Sequence, residues 1–167
     1  MTPLLNHRSL WALDSVSPAD VQALLATGRS LRDAEQASLA QTPLRGKNIA
    51  LLCEDQDGTE ATLFRNAATA LGAHVARVRP SLAKLHTDIE VQHTARMLGR
   101  LYDAIECQGM APQLVRDIAR DAGVPVYDGL GSAGHPMHQL AGMLDGDASA
   151  ADKQRILLQA LLVSTIA

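Results

Sequence analysis

One segment predicts a complete strand, turn and helix: Gly46-Lys-Asn-Ile-Ala-Leu-Leu-Cys-Glu-Asp-Gln-Asp-Gly-Thr-Glu-Ala-Thr-Leu-Phe-Arg-Asn-Ala-Ala-Thr-Ala-Leu-Gly72. Residues Ile49 to Cys53 form the short apolar run expected of a central strand that is covered on both faces. Phe64, Ala67 and Leu71 then recur at the spacing of one helix face. In open α/β sheets, ligands bind at such strand-to-helix turns, and anionic ligands use the free N–H groups of the helix. The turn is therefore the first candidate site.

This turn is acidic, which is unusual for an anion site. Residues Asp57 to Glu60 have the spacing of a capping box, with Asp57 as N-cap and Glu60 three residues later. Two carboxylates placed there would occupy the N–H groups that a phosphate uses, and would repel a phosphate. A well-capped helix without a ligand is the simpler interpretation, and a hard cation is the alternative. The calcium-loop pattern does not fit, because its first ligand position falls on Cys53.

Composition argues against several classes of function. Aromatic residues make up 2% of a chain that is 47% hydrophobic, so the core is aliphatic and few rings are available to stack on bases. The formal net charge of -3 argues against binding to a nucleic-acid backbone. The sequence shows neither a signal peptide nor an apolar run of membrane-spanning length. We therefore expect a cytoplasmic protein without nucleic-acid or membrane partners.

The order of predicted elements gives the fold class. At 167 residues the chain has the length of one domain. We expect a single domain over residues 1–167, with an N-terminal helix and loop (1–45), a βα core (46–145) and a returning C-terminal helix (150–167). Four strand patterns alternate with helices, which predicts an α/β fold: a doubly wound, four-stranded parallel sheet with helices on both faces.

Two predicted helices have apolar surfaces that need cover. One side of the helix near residues 89–101 is predicted to face the core: Thr94, Met97, Leu98 and Leu101. The final helix, at about residues 151–166, carries an apolar surface too broad to leave in water. It is expected to pack on the domain or on a partner.

Other motifs suggest weaker hypotheses. Residues Gly129 to Gly134 match G-x-G-x-x-G, but a dinucleotide site needs a following strand that this chain does not offer, so a flexible turn is favoured. His135 and His138 lie one helical turn apart and could both face a metal, although no third ligand is evident. Capping or surface roles are preferred for these histidines. Cys53 and Cys107 fall in predicted buried strands and are expected to be core thiols.

Several segments resemble the carbamoyl-phosphate-binding domain of aspartate and ornithine carbamoyltransferases: Gly46-Lys-Asn-Ile-Ala-Leu51, Ala67-Ala-Thr-Ala-Leu-Gly72, Thr94-Ala-Arg-Met-Leu98, Ala122-Gly-Val-Pro-Val126 and His135-Pro136. In addition, residues Gln154 to Val163 are similar to that family's last helix, which returns to pack on the first domain. The resemblance implies the same α/β fold. It also implies a chain without the family's second domain, which binds the amino acid.

The family's ligand motifs are degenerate in this sequence. The phosphate-binding motif Ser-Thr-Arg-Thr-Arg falls on residues 57–61, where both arginines are absent, and the arginine expected after the third strand is a glutamine. The His-Pro-Cys-Gln motif is His135-Pro-Met-His138 here, and the residue supplied by a neighbouring subunit corresponds to a lysine. The resemblance thus implies seven candidate ligand-binding positions: Asp57, Thr59, Glu60, Lys84, Gln108, His135 and His138. His135 is the one vestigial catalytic candidate, and no cofactor or metal is expected.

A retained scaffold with altered ligand positions favours a folded, non-catalytic relative. Each charge-assisted hydrogen bond lost with an arginine is worth about 1.5–3 kcal/mol. The expected role is self-association, as a homotrimer with residues 79–87 near the contact, or binding of an unidentified small ligand. One alternative is an enzyme of another class that acts on a neutral or cationic substrate in the strand-end crevice. Another is a carbamoyltransferase subunit completed by a separate protein.

Overall fold

Helices and strands alternate along the chain in the computed structural model, which describes residues 16–39, 41–80 and 87–167. Their bounds are α1 Pro18–Gln36, β1 Asn48–Leu52, α2 Thr59–Ala70, β2 His74–Val78, α3 Asp88–Leu101, β3 Ala104–Cys107, α4 Pro112–Ala122, β4 Val126–Asp128, a 3-10 helix Pro136–Met143 and α5 Ala150–Ile166. The alternation confirms the predicted α/β fold.

The strands form one parallel sheet in the order β2-β1-β3-β4. In this order β1 and β3 are central, and the apolar run of β1 is buried as predicted. The register places Leu52 opposite both Val78 and Cys107, and Cys107 opposite Asp128. The carboxyl ends of the strands are therefore level, and the turns that follow them meet along one edge of the sheet.

On one face of the sheet, α2 is covered by a second layer made of α1 and α5. Helix α5 is apolar on all sides, and its residues Ile156 to Leu162 are all buried. The Gln159 amide donates to the carbonyl of Ala67 in α2 at 3.0 Å, and Arg155 pairs with Glu35 of α1 at 3.0 Å. The prediction that the final helix returns to pack on the rest of the chain is confirmed.

Of the described helices, α3 and α4 lie on the opposite face, and here one prediction is wrong in part, since Leu98 is buried as expected but Met97 and Leu101 are not. The buried side of α3 consists of Val91, Ala95 and Leu98, whereas Met97 is 53% exposed and Leu101 is 61% exposed. The cause is a close contact with α4. A Cβ atom added at Gly99 would lie 1.7 Å from the carbonyl oxygen of Ala122, so α4 can approach α3 only on the side that carries this glycine.

Two further expectations concern buried groups and helix type. Cys53 and Cys107 are free and buried, which confirms their predicted place in the core. The segment after His135 is a 3-10 helix. Among the described residues, no helix has both the length and the apolar composition needed to cross a membrane.

Candidate functional site

A crevice of about 390 Å³ lies at the carboxyl ends of the two central strands. It is formed by the turn after β1, the first turn of α2 and the two residues after β3: Cys53, Glu54, Asp55, Gly58, Thr59, Glu60, Ala61, Gln108 and Gly109. Three of the candidate residues, Thr59, Glu60 and Gln108, lie in this lining. The crevice is therefore the place where the sequence-based candidates converge most closely.

The N-terminus of α2 is not capped as predicted. The N-cap is Gly58, and no side chain accepts a hydrogen bond from the first turn of the helix. The helix begins one residue later than the capping-box pattern requires, because the N–H of Thr62 bonds to the carbonyl of Gly58 at 3.0 Å. Ala61, not Glu60, then occupies the third helical position. The predicted box of Asp57 and Glu60 is wrong, and the first-turn N–H groups remain open to the crevice.

The turn itself explains why glycine occupies the N-cap. The N–H of Gly58 donates to the carbonyl of Asp55 at 3.3 Å, and a Cβ atom at Gly58 would lie 2.6 Å from Oδ2 of Asp55. The Asp55 side chain therefore lies across the backbone of Gly58. Asp57 points elsewhere, since its Oδ1 is 3.4 Å from Nη1 of Arg77 and its side chain is 86% exposed.

The charge of the crevice is negative. Its lining contains the carboxylates of Glu54, Asp55 and Glu60, and no lysine or arginine of the described residues contributes to it. The nearby arginines are engaged elsewhere, because Arg65 donates to the backbone carbonyl of Gln56 and Arg77 pairs with Asp57. Among the described residues, positive potential comes from the N–H groups at the start of α2 and, from outside the lining, from Arg65 and Arg77, which act to lower the pKa of Cys53.

Gln108 lies at the bottom of the crevice, which is called its floor below, and hydrogen bonds fix the NH2 group of its amide. Nε2 donates to the carbonyl of Glu60 at 3.3 Å and to Oε2 of Glu106 at 3.3 Å. These bonds link β3 to the first turn of α2. Glu106 was not among the sequence-based candidates. The one signal for it was a charged residue inside the four-residue apolar strand of β3.

Glu106 is fully enclosed, with 0% of its surface exposed. Its Oε1 accepts from the N–H of Leu130 and its Oε2 from the N–H of Gly131, each at 2.8 Å. Burial raises the pKa of Glu106 to about 8, while the hydrogen bonds from Leu130, Gly131 and Gln108 act to lower it. A single buried carboxylate thus joins β3, the loop after β4 and, through Gln108, helix α2.

The loop after β4 is wedged against the floor of the crevice. A Cβ atom at Gly131 would lie 2.6 Å from the carbonyl oxygen of Glu60 and 2.8 Å from Nε2 of Gln108. Only glycine fits this contact. The G-x-G-x-x-G segment therefore serves a close backbone contact. Glu106 already occupies two of its N–H groups, and no strand follows the segment among the described residues.

The two histidines lie beside this loop and are not part of the crevice lining. His135 is 4% exposed and caps the 3-10 helix, since its Nδ1 accepts from the N–H of Met137 at 3.1 Å. His138 is 7% exposed, and its Nε2 is 3.1 Å from the carbonyl oxygen of Leu130. Burial lowers the pKa of His138 and so favours its neutral form. The structure supports the predicted capping role for His135, and both rings are enclosed rather than at the surface.

Two further candidates are the lysine at position 84 and a metal site at the two histidines. Lys84 lies outside the described residues. The ring centroids of His135 and His138 are 6.1 Å apart, and the described part of the chain contains no group of three or more histidine, cysteine, aspartate or glutamate side chains able to hold a metal ion.

The chain matches a known family and known relatives. The model for the carbamoyl-P binding domain of aspartate/ornithine carbamoyltransferase matches residues 8–145. The ornithine carbamoyltransferase of Actinobacillus pleuropneumoniae is 38% identical over 140 residues, and the catabolic ornithine carbamoyltransferase of Pseudomonas putida is 34% identical over 140 residues. Each match covers 84% of this chain and 42% of the relative.

Solved structures agree with the sequence matches. The ornithine carbamoyltransferase of Pyrococcus furiosus superposes with a TM-score of 0.71 at 26% identity, covering 84% of this chain and 45% of that one. The Thermus thermophilus enzyme gives a TM-score of 0.65 at 26% identity, covering 81% and 46%. This chain spans less than half the length of these relatives. Because the family match includes well over half of the chain, the protein belongs to the aspartate/ornithine carbamoyltransferase family and contains its carbamoyl-phosphate-binding domain.

Proposed function

We propose that this chain is a non-catalytic member of the carbamoyltransferase family that acts by self-association or by binding a small ligand other than carbamoyl phosphate. The observation that carries the proposal is the charge of the crevice. Glu54, Asp55 and Glu60 line it, and no lysine or arginine among the described residues does so.

The size of the individual interactions predicts that the crevice binds phosphate weakly. The open N-terminus of α2 attracts an anion by about 0.3–1 kcal/mol. Each charge-assisted hydrogen bond from an arginine would contribute about 1.5–3 kcal/mol, and the crevice has none to offer. The carboxylates add repulsion. The helix end alone is too weak to hold a phosphate dianion at micromolar concentration.

The test is to restore the family residues in the turn. Thr59→Arg and Ala61→Arg, together with Glu60→Thr, should create phosphate binding that calorimetry detects, whereas the unmodified chain should show none at millimolar phosphate. Gly58 is left in place, because a larger residue there would collide with Asp55. A variant with Thr59→Gln, Ala61→Gln and Glu60→Thr is the matched control for size. Tight phosphate binding by the unmodified chain would refute the proposal.

Self-association is supported by the outer face of α3. Ile89, Met97 and Leu101 are 66%, 53% and 61% exposed and recur along one side of the helix. Arg96 and Arg100 flank them. Because large apolar groups in such a row favour burial against another protein surface, we propose that copies of this chain associate through α3, as the homotrimer that the family resemblance implies.

A second candidate function is a carbamoyltransferase subunit that works only with another chain. It is favoured by length, since the matched relatives are more than twice as long as the matched region and are named ornithine carbamoyltransferases. An assay with carbamoyl phosphate and ornithine separates the two functions. Activity that appears only with a co-purified partner would establish the second candidate, and activity of this chain alone would refute both. Loss of the activity on Gln108→Ala would place it in the crevice.

A further inference from the structure

The amide of Gln108 is fixed in one orientation at the floor of the crevice. Its NH2 group donates to the carbonyl of Glu60 and to Oε2 of Glu106. Its carbonyl oxygen accepts no hydrogen bond from the described part of the chain and is not enclosed. Since Gln108 lines the crevice, this oxygen is the part of the amide left for a ligand. The floor is therefore a hydrogen-bond acceptor when Glu106 is ionised.

Glu106 has no charged partner to stabilise its ionised form. Among the described residues no cation pairs with it, and its neighbours are acids or weak acids. Asp128 of β4 raises its pKa, and electrostatic coupling also links it to Cys53 directly after β1, Cys107 of β3 and Tyr127 of β4. Only the N–H groups of Leu130, Gly131 and Gln108 favour the carboxylate.

A proton on Glu106 would have to reorganise these bonds. In the structure both carboxylate oxygens accept from N–H groups, so a new O–H group has no acceptor in place. A buried donor without an acceptor costs about 1–3 kcal/mol. Rotation of the Gln108 amide by half a turn supplies the acceptor, because its carbonyl oxygen then accepts from the Glu106 O–H and its NH2 group turns to the crevice. The rotation gives up the bond from Nε2 to the carbonyl of Glu60 in exchange.

We propose that Glu106 and Gln108 form a proton-dependent switch that changes the crevice floor from a hydrogen-bond acceptor to a hydrogen-bond donor. With Glu106 ionised, the floor suits ligands that donate hydrogen bonds, such as amines and amides. With Glu106 protonated, it suits uncharged ligands that accept them, such as ketones and amides. The ligand classes rest on the proposed function of the crevice as a ligand site, whereas the switch itself requires no ligand.

The switch operates in a pH range where the neighbouring thiols, phenol and imidazole keep their protonation states. Burial raises the pKa of Glu106 to about 8. Burial also raises the pKa values of Cys53, Cys107 and Tyr127, so these groups stay protonated as the pH passes through 8. The lowered pKa of His138 keeps this imidazole neutral over the same range.

Carbon NMR of the unliganded protein tests the switch directly. The side-chain carbonyl carbons of Gln108 and Glu106 should shift together between about pH 6.5 and about pH 9.5, with one common midpoint near 8. In Glu106→Gln the shift of Gln108 should be absent. Glu60→Gln, which removes an exposed carboxylate from the rim, is the matched control and should leave the midpoint unchanged.

Two outcomes would overturn the switch. One is a Gln108 carbonyl shift that stays constant while Glu106 titrates in the unmodified protein, and this measurement does not depend on the folding of any variant. The other is a Gln108 titration that persists in Glu106→Gln. Tight phosphate binding would refute the proposed function without affecting either measurement, so the two failures are distinguishable.

Discussion

The two faces of the sheet are completed in different ways. On one face, α1 and α5 form a second layer over α2, and the apolar residues from both layers join one buried cluster. On the other face, α3 and α4 form a single layer, and Ile89, Met97 and Leu101 on its outside stay exposed. The apolar residues of the first face are covered by helices of the same chain. The second carries an apolar surface that no helix among the described residues covers, which is the basis for proposing association there.

Removing the second layer from the first face should have the largest effect on stability. Ending the chain at Asp147 deletes α5 and exposes the groups it buries. Each large apolar side chain contributes about 1.5–3 kcal/mol when buried, so the sum over several such residues is comparable with the whole stability of a typical domain, about 5–15 kcal/mol. We expect an insoluble protein or one without cooperative thermal unfolding by circular dichroism.

The control for this truncation keeps α5 and changes its exposed first turn. Lys153→Ala removes a charge near the start of α5 without touching the buried cluster. It should unfold within a few degrees of the unmodified chain. A truncated protein with an unchanged melting temperature would show that α5 is not needed to complete the first face.

A smaller effect is expected inside the second face. Gly99→Ala places a methyl group 1.7 Å from the carbonyl oxygen of Ala122, so α3 and α4 must move apart. Overpacking of this kind costs about 1–3 kcal/mol, and the rigid backbone partner favours the upper end. Urea denaturation should show the loss. Gly142→Ala is the matched control, because its added methyl group would meet no atom within 4 Å. Equal stabilities of the two variants would mean that the α3–α4 contact is loose.

The outer surface of α3 should matter least for the stability of the single chain. Met97→Glu and Leu101→Glu change exposed positions, so we expect stability within about 0.5 kcal/mol of the unmodified chain. Association should be lost, and light scattering should show the mass of one chain. Leu98→Glu, on the buried side of the same helix, should instead prevent folding. An unchanged oligomeric mass in the Met97 and Leu101 variants would exclude α3 as the contact.

Much of the scaffold could be predicted because the spacing of apolar residues along the sequence agrees with the burial of those residues in the structure. The apolar run at Ile49–Cys53 and the apolar residues of Gln154–Val163 can be satisfied only by a covered strand and a covered helix. Local patterns of this kind also gave the α/β class. The resemblance to the carbamoyltransferase family pointed to the same fold, and the comparisons confirm it.

The misassigned features depend on contacts that a sequence does not display. The capping box at Asp57 and Glu60 was chemically sensible, yet the turn closes through Asp55 and starts the helix one residue later. The face of α3 was misplaced because its rotation is set by a single close contact at Gly99. Periodicity shows which residues could be buried together, and it does not show which neighbour will approach.

Glu106 was missed for a related reason. Its hydrogen-bond donors, the N–H groups of Leu130 and Gly131, follow it by 24 and 25 residues and carry no side-chain signature. A carboxylate that binds only backbone groups has no recognisable partner residue. The charge inside an apolar strand was the available signal, and it pointed to an anomaly without identifying its contacts.

The position of α5 also has a consequence for synthesis of the protein. Helix α1 leaves the ribosome before every other described helix, and its contacts with α5, such as that between Arg155 and Glu35, join residues 120 positions apart. The outer side of α2 therefore lacks its α5 cover until the last described helix has been translated. Chains in progress would expose this surface for several seconds at ordinary translation rates. Growing chains, rather than finished ones, should be the form of this protein that most needs chaperones.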